Sequence, residues 1–377
     1  MKVLAISPDS FDKPIGGLGV QWGELYKRLY GRVDYYVSGY PLPYDLKNYY
    51  GVLNPMPEIQ HGPISTILSN TSYLGVALRF PKPDIVHAMD WSVYLAGVYA
   101  ADYYNVPLVV SMQLSQKGLT ECGIFYCGDH NTSDGMWVHK TCLEIEKLGL
   151  NYAKKIIQVS NNYSQKYFKE YNHKNVVIPN GIDLNLWKPT NNFIFPGNNK
   201  YKVVYIGRFA MMKSVIQILE SKIPDNIDLI LIGDLNTADY PTQSKINEVL
   251  NSNPSNIFHI GSLYGQEKIN ALCSADAIIV PSRHEPFGIV GLEGLASKSI
   301  VLSSRIDGLG DFLNDSNSID CGITSESITD ALNQFLSLTE TQKNELIQNG
   351  IETCKKYNWD EIADQYYNEY NKILFSI

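Results

Sequence analysis

Short runs of β-branched and aliphatic residues recur along the chain, each followed by a stretch with helical spacing. No other feature limits the possible folds so strongly. The first six runs are KVLAIS (2–7), VDYYVSG (33–39), DIVHAMD (84–90), PLVVSMQ (107–113), KKIIQVS (154–160) and NVVIP (175–179). Five more follow: KVVYIGR (202–208), IDLILIGD (227–234), NIFHIGS (256–262), DAIIVPS (276–282) and SIVLSS (299–304). Runs that are apolar throughout belong to strands covered on both faces, and strands separated by helices pair in parallel. The pattern occurs twice, around an Asn- and Pro-rich interval, NGIDLNLWKPTNNFIFPGNNK (180–200). The sequence therefore predicts an α/β protein with two Rossmann-like domains facing across a cleft, joined through that interval. The boundaries are expected at 1–183 and 184–355, with a helix over 356–377. The two halves share architecture without a repeated sequence.

Bulk properties narrow the function classes. At 377 residues the chain exceeds what one core ordinarily organises, and 44% hydrophobic with 19% charged residues marks a folded protein. A net charge of -8 argues against a nucleic-acid-binding face. No apolar run approaches the ~20 residues of a membrane span, so membrane association is expected to be peripheral at most. The start, MKVLAISPDS, reads as a first strand and not as a secretory signal, which predicts a cytoplasmic protein with reduced cysteines. Cys122, Cys127 and Cys142 cluster with His130 and His139, but the spacing fits no usual zinc pattern and reads as a loop with reduced thiols.

In open parallel sheets ligands collect beyond the carboxyl ends of strands, and three motifs fall there. IGGLGVQWG (15–23) follows the first strand after a short loop. Gly16, Gly17 and Gly19 remove side chains where a helix begins, as an anion seat or a tight turn requires. The dinucleotide pattern G-x-G-x-x-G fails, because the third glycine, Gly23, comes one residue late, and no P-loop lysine is present. YIGRFAMMK (205–213) sets Arg208 at a strand end and Lys213 five residues on, two cations suited to a departing diphosphate. HEPFGIVGLEG (284–294) places Glu285 in the loop after the strand 276–282 and Glu293 on a helix starting near Gly288. Two carboxylates close to a phosphate seat make sense when hydroxyl donors lie between them, as in a nucleotide sugar.

Together, GGLG, G-R-x4-K, EPFGIVGLE and NGID resemble the retaining GT-B glycosyltransferases of the family 4 and glycogen-synthase-like group, over most of the chain and in the expected order. The segment YNWDEIADQYYNEYNKIL (357–374) is similar to that group's last helix, which crosses back to the first domain. The resemblance implies an acceptor-side first domain and a nucleotide-sugar-binding second domain. It assigns the donor diphosphate to Arg208 and Lys213, the donor hexose to Glu285 and the ribose hydroxyls to Glu293. Backbone amides of Phe287, Gly288 and Ile289 would meet phosphate and sugar. Gly16 and Gly17 would complete the phosphate site, and Asp90, in HAMDW (87–91), would lie near the acceptor and donor sugar. NGID (180–183) would be a hinge. Two positions depart from the group. Pro14, beside Lys13, stands where glycogen synthases carry lysine, and Gln113 stands where the group often has histidine. The implied reaction is hexose transfer to an acceptor hydroxyl with retention. No D-x-D triplet occurs, so neither a cofactor nor an obligatory metal is expected. The alternatives are a catalytically inactive sugar- or nucleotide-binding protein and a nucleotide-sugar epimerase. Residues 40–75 and 115–142, the irregular stretches of the first domain, are expected to shape the acceptor site, with Tyr40, Tyr44, Tyr49, Tyr50, Phe125, Tyr126 and Trp137 as stacking candidates.

Overall fold

The computed structural model describes residues 1–9, 16–39, 49–51, 63–124 and 133–375. The chain divides into two compact units: Met1–Asn180 together with Trp359–Ile377, and Gly181–Asn358. No described helix is long and apolar enough to cross a membrane.

Unit 1 is built on β1 (Lys2–Ser7), β2 (Asp34–Gly39), β3 (Tyr49–Gly51), β4 (Ile85–Met89), β5 (Leu108–Met112), β6 (Lys155–Gln158) and β7 (Asn175–Val177). The order is β3-β2-β1-β4-β5-β6-β7, and every pairing is parallel. Its helices are α1 (Gly17–Leu29), α2 (Pro63–Ala77), α3 (Tyr94–Tyr104), α4 (Gln116–Glu121), α5 (Ser133–Tyr152) and α6 (Asn161–Tyr167). The period of two explains why the strands are apolar throughout. Leu4, Ile6, Val86, Ala88, Val110 and Ile156 fill one core layer. Val3, Ala5, Ile85, Val109 and Ile157 fill the other, with Trp22 and Leu25 of α1 and with Trp359, Ile362, Tyr366 and Tyr370 of the last helix, Trp359–Phe375.

Unit 2 repeats the plan with β8 (Tyr201–Ile206), β9 (Ile227–Ile232), β10 (Ile257–His259), β11 (Ala277–Val280), β12 (Ile300–Ser303) and β13 (Ile319–Asp320), ordered β10-β9-β8-β11-β12-β13 and again all parallel. Its helices are α7 (Val215–Glu220), α8 (Tyr240–Asn251), α9 (Gly265–Cys273), α10 (Ile289–Ala296), α11 (Ser325–Ser337) and α12 (Glu340–Cys354). The α/β class with two Rossmann-like units is as the sequence predicts.

The stretches 40–75 and 115–142 are less irregular than expected. They contain β3, all but the end of α2, α4 and the first half of α5. The segment PISTILSNTSYLGVA is rich in Ser, Thr and Asn, which are weak helix formers. Packing of Tyr73 and Ala77 into the core overrides that weakness.

The strand order reverses once in each sheet, between β1 and β4 in unit 1 and between β8 and β11 in unit 2. At such a switch point the loops leaving neighbouring strands part to opposite faces and open a crevice. The two strand-end motifs of unit 2 leave β8 and β11, and the glycine motif and Asp90 of unit 1 leave β1 and β4.

Candidate active site

In unit 2 the chain leaves β8 through Gly207, at φ 150, a backbone state that favours glycine. Phe209 is fully buried and anchors the loop, while Arg208 is half-buried. The Tyr205 hydroxyl donates to the Arg208 carbonyl at 2.6 Å. Burial pushes the Tyr205 phenol above its ordinary pKa. The Glu285 charge pushes the same way and the Arg208 charge opposes it. A single 3-10 turn, Met211–Lys213, then presents Lys213, whose ammonium pairs with the Glu285 carboxylate. Ser282 Oγ donates to the same carboxylate at 3.0 Å. The Arg283 amide donates to the Met212 carbonyl at 2.8 Å and ties the two loops together.

Gly288 caps α10 in the left-handed region, at φ 91 and ψ 59. A Cβ there would sit 2.3 Å from Leu309 Cδ2, so only glycine fits. The Ile289 and Val290 amides, the first two of α10, have no acceptor within the helix, whereas the Gly291 amide donates to the Gly288 carbonyl at 2.9 Å. The Phe287 ring is core, 5.3 Å from Phe312 and 5.9 Å from Tyr357, so only its backbone can face a ligand. Glu293, on α10, is 5% exposed. Its Oε1 accepts from Lys268 Nζ at 2.6 Å, and its Oε2 is buried with no hydrogen-bond partner. That orphan oxygen is an acceptor suited to a hydroxyl.

In unit 1, Gly16 is the N-cap of α1 and, like Gly17, is exposed. A Cβ on Gly16 would meet nothing within 4 Å, so internal packing does not demand glycine there. Asp9 Oδ2 accepts from the Gly19 amide at 3.0 Å. Asp90 leaves β4 at φ 99, a costly conformation for a non-glycine residue of the kind that collects at functional sites. Its Oδ1 accepts from the Ser92 amide at 3.2 Å and from Ser92 Oγ at 3.0 Å. Burial pushes Asp90 up to about 7, with Asp9 adding to the shift. Glu146 of α5 accepts from Ser115 Oγ at 3.1 Å and from the Gln116 and Lys117 amides at 2.6 and 3.2 Å. Burial, reinforced by Asp90, pushes Glu146 up to about 7 as well. Gln113 Oε1 accepts from Asn180 Nδ2 at 3.2 Å, and Gln113 Nε2 is buried with no partner. Asn180 Oδ1 accepts from Gln21 Nε2 at 2.7 Å.

The other candidates dissolve or fall outside the described residues. His139 Nε2 bonds Thr120 Oγ1 at 2.9 Å, Cys122 Sγ lies 3.2 Å from the Tyr167 hydroxyl, and Cys142 is buried. Cys127 and His130 lie outside the described residues, as do Lys13, Pro14, Tyr40, Tyr44, Phe125 and Tyr126 and the side chains of Tyr49 and Tyr50. Among the described residues no group of three or more His, Cys, Asp or Glu side chains could hold a metal ion. Trp137 is 54% exposed.

Residues 15–186 match the family described as Glycosyltransferase Family 4, and residues 190–353 match Glycosyl transferases group 1. The chain is a GT-B glycosyltransferase. It is 25% identical to the alpha-maltose-1-phosphate synthase of Mycobacterium tuberculosis, across 99% of this chain and 100% of that one. Its fold is similar to that of sucrose-phosphate synthase from Thermosynechococcus elongatus, with a TM-score of 0.81 and 18% identity over 100% of both chains. It is also similar to Anabaena HepE, determined in complex with UDP and glucose, with a TM-score of 0.72 and 17% identity over 99% of this chain and 100% of that one.

The structure of this glycosyltransferase brings Lys213 and Glu285 together, places Arg208 just past the end of β8 and sets Phe287, Gly288, Ile289 and Glu293 along the loop and helix that follow Glu285. Several partners carried no sequence signal. Lys268 of α9 meets Glu293 of α10 although the two are 25 residues apart in sequence. Asn180, read as part of a hinge, hydrogen-bonds Gln113. Glu146 reads as one more acid on a helix until its three donors are seen.

Proposed function

We propose that this glycosyltransferase moves a hexosyl group from a nucleoside-diphosphate sugar to an acceptor hydroxyl, with retention at the anomeric carbon and without an obligatory metal. The observation that carries the reading is the contact of Lys213 with Glu285 across the β8/β11 switch point, with Arg208 in the same loop after β8. A cation pair beside a carboxylate suits a ligand that joins a diphosphate to a polyhydroxyl ring. Arg208 and Lys213 meet the charge that grows on the leaving diphosphate, the task a metal serves elsewhere. Glu285 accepts from hexose hydroxyls, and the free oxygen of Glu293 accepts from a ribose hydroxyl. The Gly288 and Ile289 amides face phosphate at the start of α10. In unit 1, Gly16, Gly17, Asp90 and Gln113 are assigned to phosphate, sugar and acceptor.

The acceptor oxygen attacks the anomeric carbon on the face from which the diphosphate leaves. The old C1–O bond breaks as the new one forms, and a diphosphate oxygen takes the acceptor's proton. No protein nucleophile is needed, so positioning and electrostatics supply the rate.

HepE binds UDP and glucose, so UDP-glucose heads the test panel, followed by ADP- and GDP-sugars. Release of the nucleoside diphosphate is the readout. Lys213→Ala is expected to slow turnover by about 10²–10³. Wild-type turnover by that variant with every active donor would remove Lys213 from the reaction.

A further inference from the structure

His284 opens the HEPFGIVGLEG motif without an assigned role and Asp307 lies outside every motif, yet the two meet behind Glu285. Asp307 opens a 3-10 segment, Asp307–Asp311, after β12. His284 immediately precedes Glu285. Both side chains are fully buried, and His284 Nδ1 lies 3.4 Å from Asp307 Oδ2. The same Oδ2 accepts from the Glu285 amide at 3.3 Å. One residue on, the Gly308 amide donates to the Glu285 carbonyl at 2.9 Å. Both backbone polar groups of Glu285 are thus held by two consecutive residues of a different loop.

Two further observations show how closely that hold is built. A Cβ on Gly308 would sit 2.1 Å from the Pro286 carbonyl oxygen and 2.5 Å from Phe287 Cα, so the two loops are pressed together with no room to slide. Asp307 itself stands at φ 50. A non-glycine residue in that region is strained, and Asp and Asn are the side chains that tolerate it best because they bond locally. Glycine would relieve the strain and remove the carboxylate. The carboxylate therefore offers something that an unstrained backbone would lack.

We infer that the buried His284–Asp307 pair is a positioning device for the sugar-side carboxylate. Asp307 fixes the Glu285 peptide, and His284 orients the Asp307 carboxylate so that one oxygen faces that amide. Neither residue touches substrate. With Glu285 fixed at its backbone and held by Ser282 and Lys213 at its tip, its carboxylate is set before the donor arrives. The inference rests on the reading of Glu285 as the hexose-side carboxylate given under Proposed function.

The test compares Asp307→Asn, Asp307→Gly and Asp307→Ala in the full chain, with thermal unfolding measured for each. Asp307→Asn keeps an acceptor and tolerates the left-handed backbone, so kcat is expected within about threefold of wild type. Asp307→Gly removes the strain and the acceptor together, so it folds at least as readily as Asp307→Ala. Both are expected to lose on the order of 10- to 100-fold in kcat, the scale of a misplaced reacting group, with donor KM changed less than about threefold. UDP-induced thermal shifts are expected to change less than kcat does, because UDP lacks the hexose that Glu285 is assigned to hold. A folded Asp307→Gly with wild-type kcat overturns the inference, since it would assign Asp307 a backbone role alone. An equal loss in Asp307→Asn overturns it too, since the acceptor atom would then be irrelevant. If the wild-type protein releases no nucleotide from any donor, the proposed function fails and this inference with it. If wild type is active and Lys213→Ala is not, while all three Asp307 variants match wild type, only this inference fails.

Discussion

Single residues tie the chemistry of unit 1 to its stability. Asp90 and Glu146 are buried carboxylates pushed up to about 7, from ordinary values of 3.8 and 4.5. Between those limits the folded protein holds protons that the unfolded chain has released. Stability therefore falls as pH rises through that window, and the whole penalty is present above about 7. His87, fully buried between the Tyr370 hydroxyl and Ser111 Oγ, acts in the opposite sense. Burial holds it down to about 3, so its contribution fades as pH falls below 6.5. Two carboxylates outweigh one imidazole between pH 8 and pH 6, and unit 1 is expected to gain about 1–2 kcal/mol over that interval. Urea unfolding of the chain, followed at both pH values, reads this directly. Replacing both acids, by Asp90→Asn with Glu146→Gln, is expected to remove the gain. A wild-type transition that weakens from pH 8 to pH 6 contradicts the burial of these groups.

At the scale of elements, the site depends on how α10 begins. Gly288 combines a left-handed backbone with a close approach to Leu309, so Gly288→Ala carries both a conformational and a steric penalty. The expected loss is about 1–3 kcal/mol, seen as a lower melting temperature of the unit 2 transition. A melting temperature equal to wild type would mean that Leu309 moves aside freely. The start of α10 was legible in the sequence, because a strand followed by Pro, Phe and Gly leaves few other ways to turn. The cations and carboxylates after β8 and β11 were legible for a related reason, since parallel strands deliver their functional residues at one edge. What α9 and the 3-10 segment after β12 contribute was not legible. Lys268 and Asp307 gain meaning only through helix and loop packing between residues distant in sequence. The helices α2 and α5 were hidden by polar and irregular composition, because their helicity comes from the core they cover and little from local propensity.

On the scale of the whole molecule, unit 1 is assembled from two separated parts of the chain. The last helix buries Trp359, Ile362, Tyr366 and Tyr370 against one face of the first sheet. Tyr366 accepts from Gln21 Nε2 at 3.1 Å, and Arg28 pairs with Asp360 at 2.6 Å. Burial of each large side chain stabilises by about 1.5–3 kcal/mol, so the four together match the ~5–15 kcal/mol that keeps a typical domain folded. A chain stopped after Asn358 is expected to lose the cooperative unfolding of unit 1 and to keep that of unit 2. Hydrogen exchange is the check: amides of β1 and β4 should lose protection, and amides of β8 and β11 should keep it. Full protection of β1 in the shortened chain would show the helix to be dispensable.

The same arrangement sets a timetable during translation. The ribosome delivers the second sheet in full before it reaches Trp359, so the first sheet waits roughly ten to forty seconds for the helix that seals it. Through that interval Trp22, Val3 and Ile85 belong to an open apolar surface on the nascent polypeptide, and the half of the enzyme made first is the half finished last.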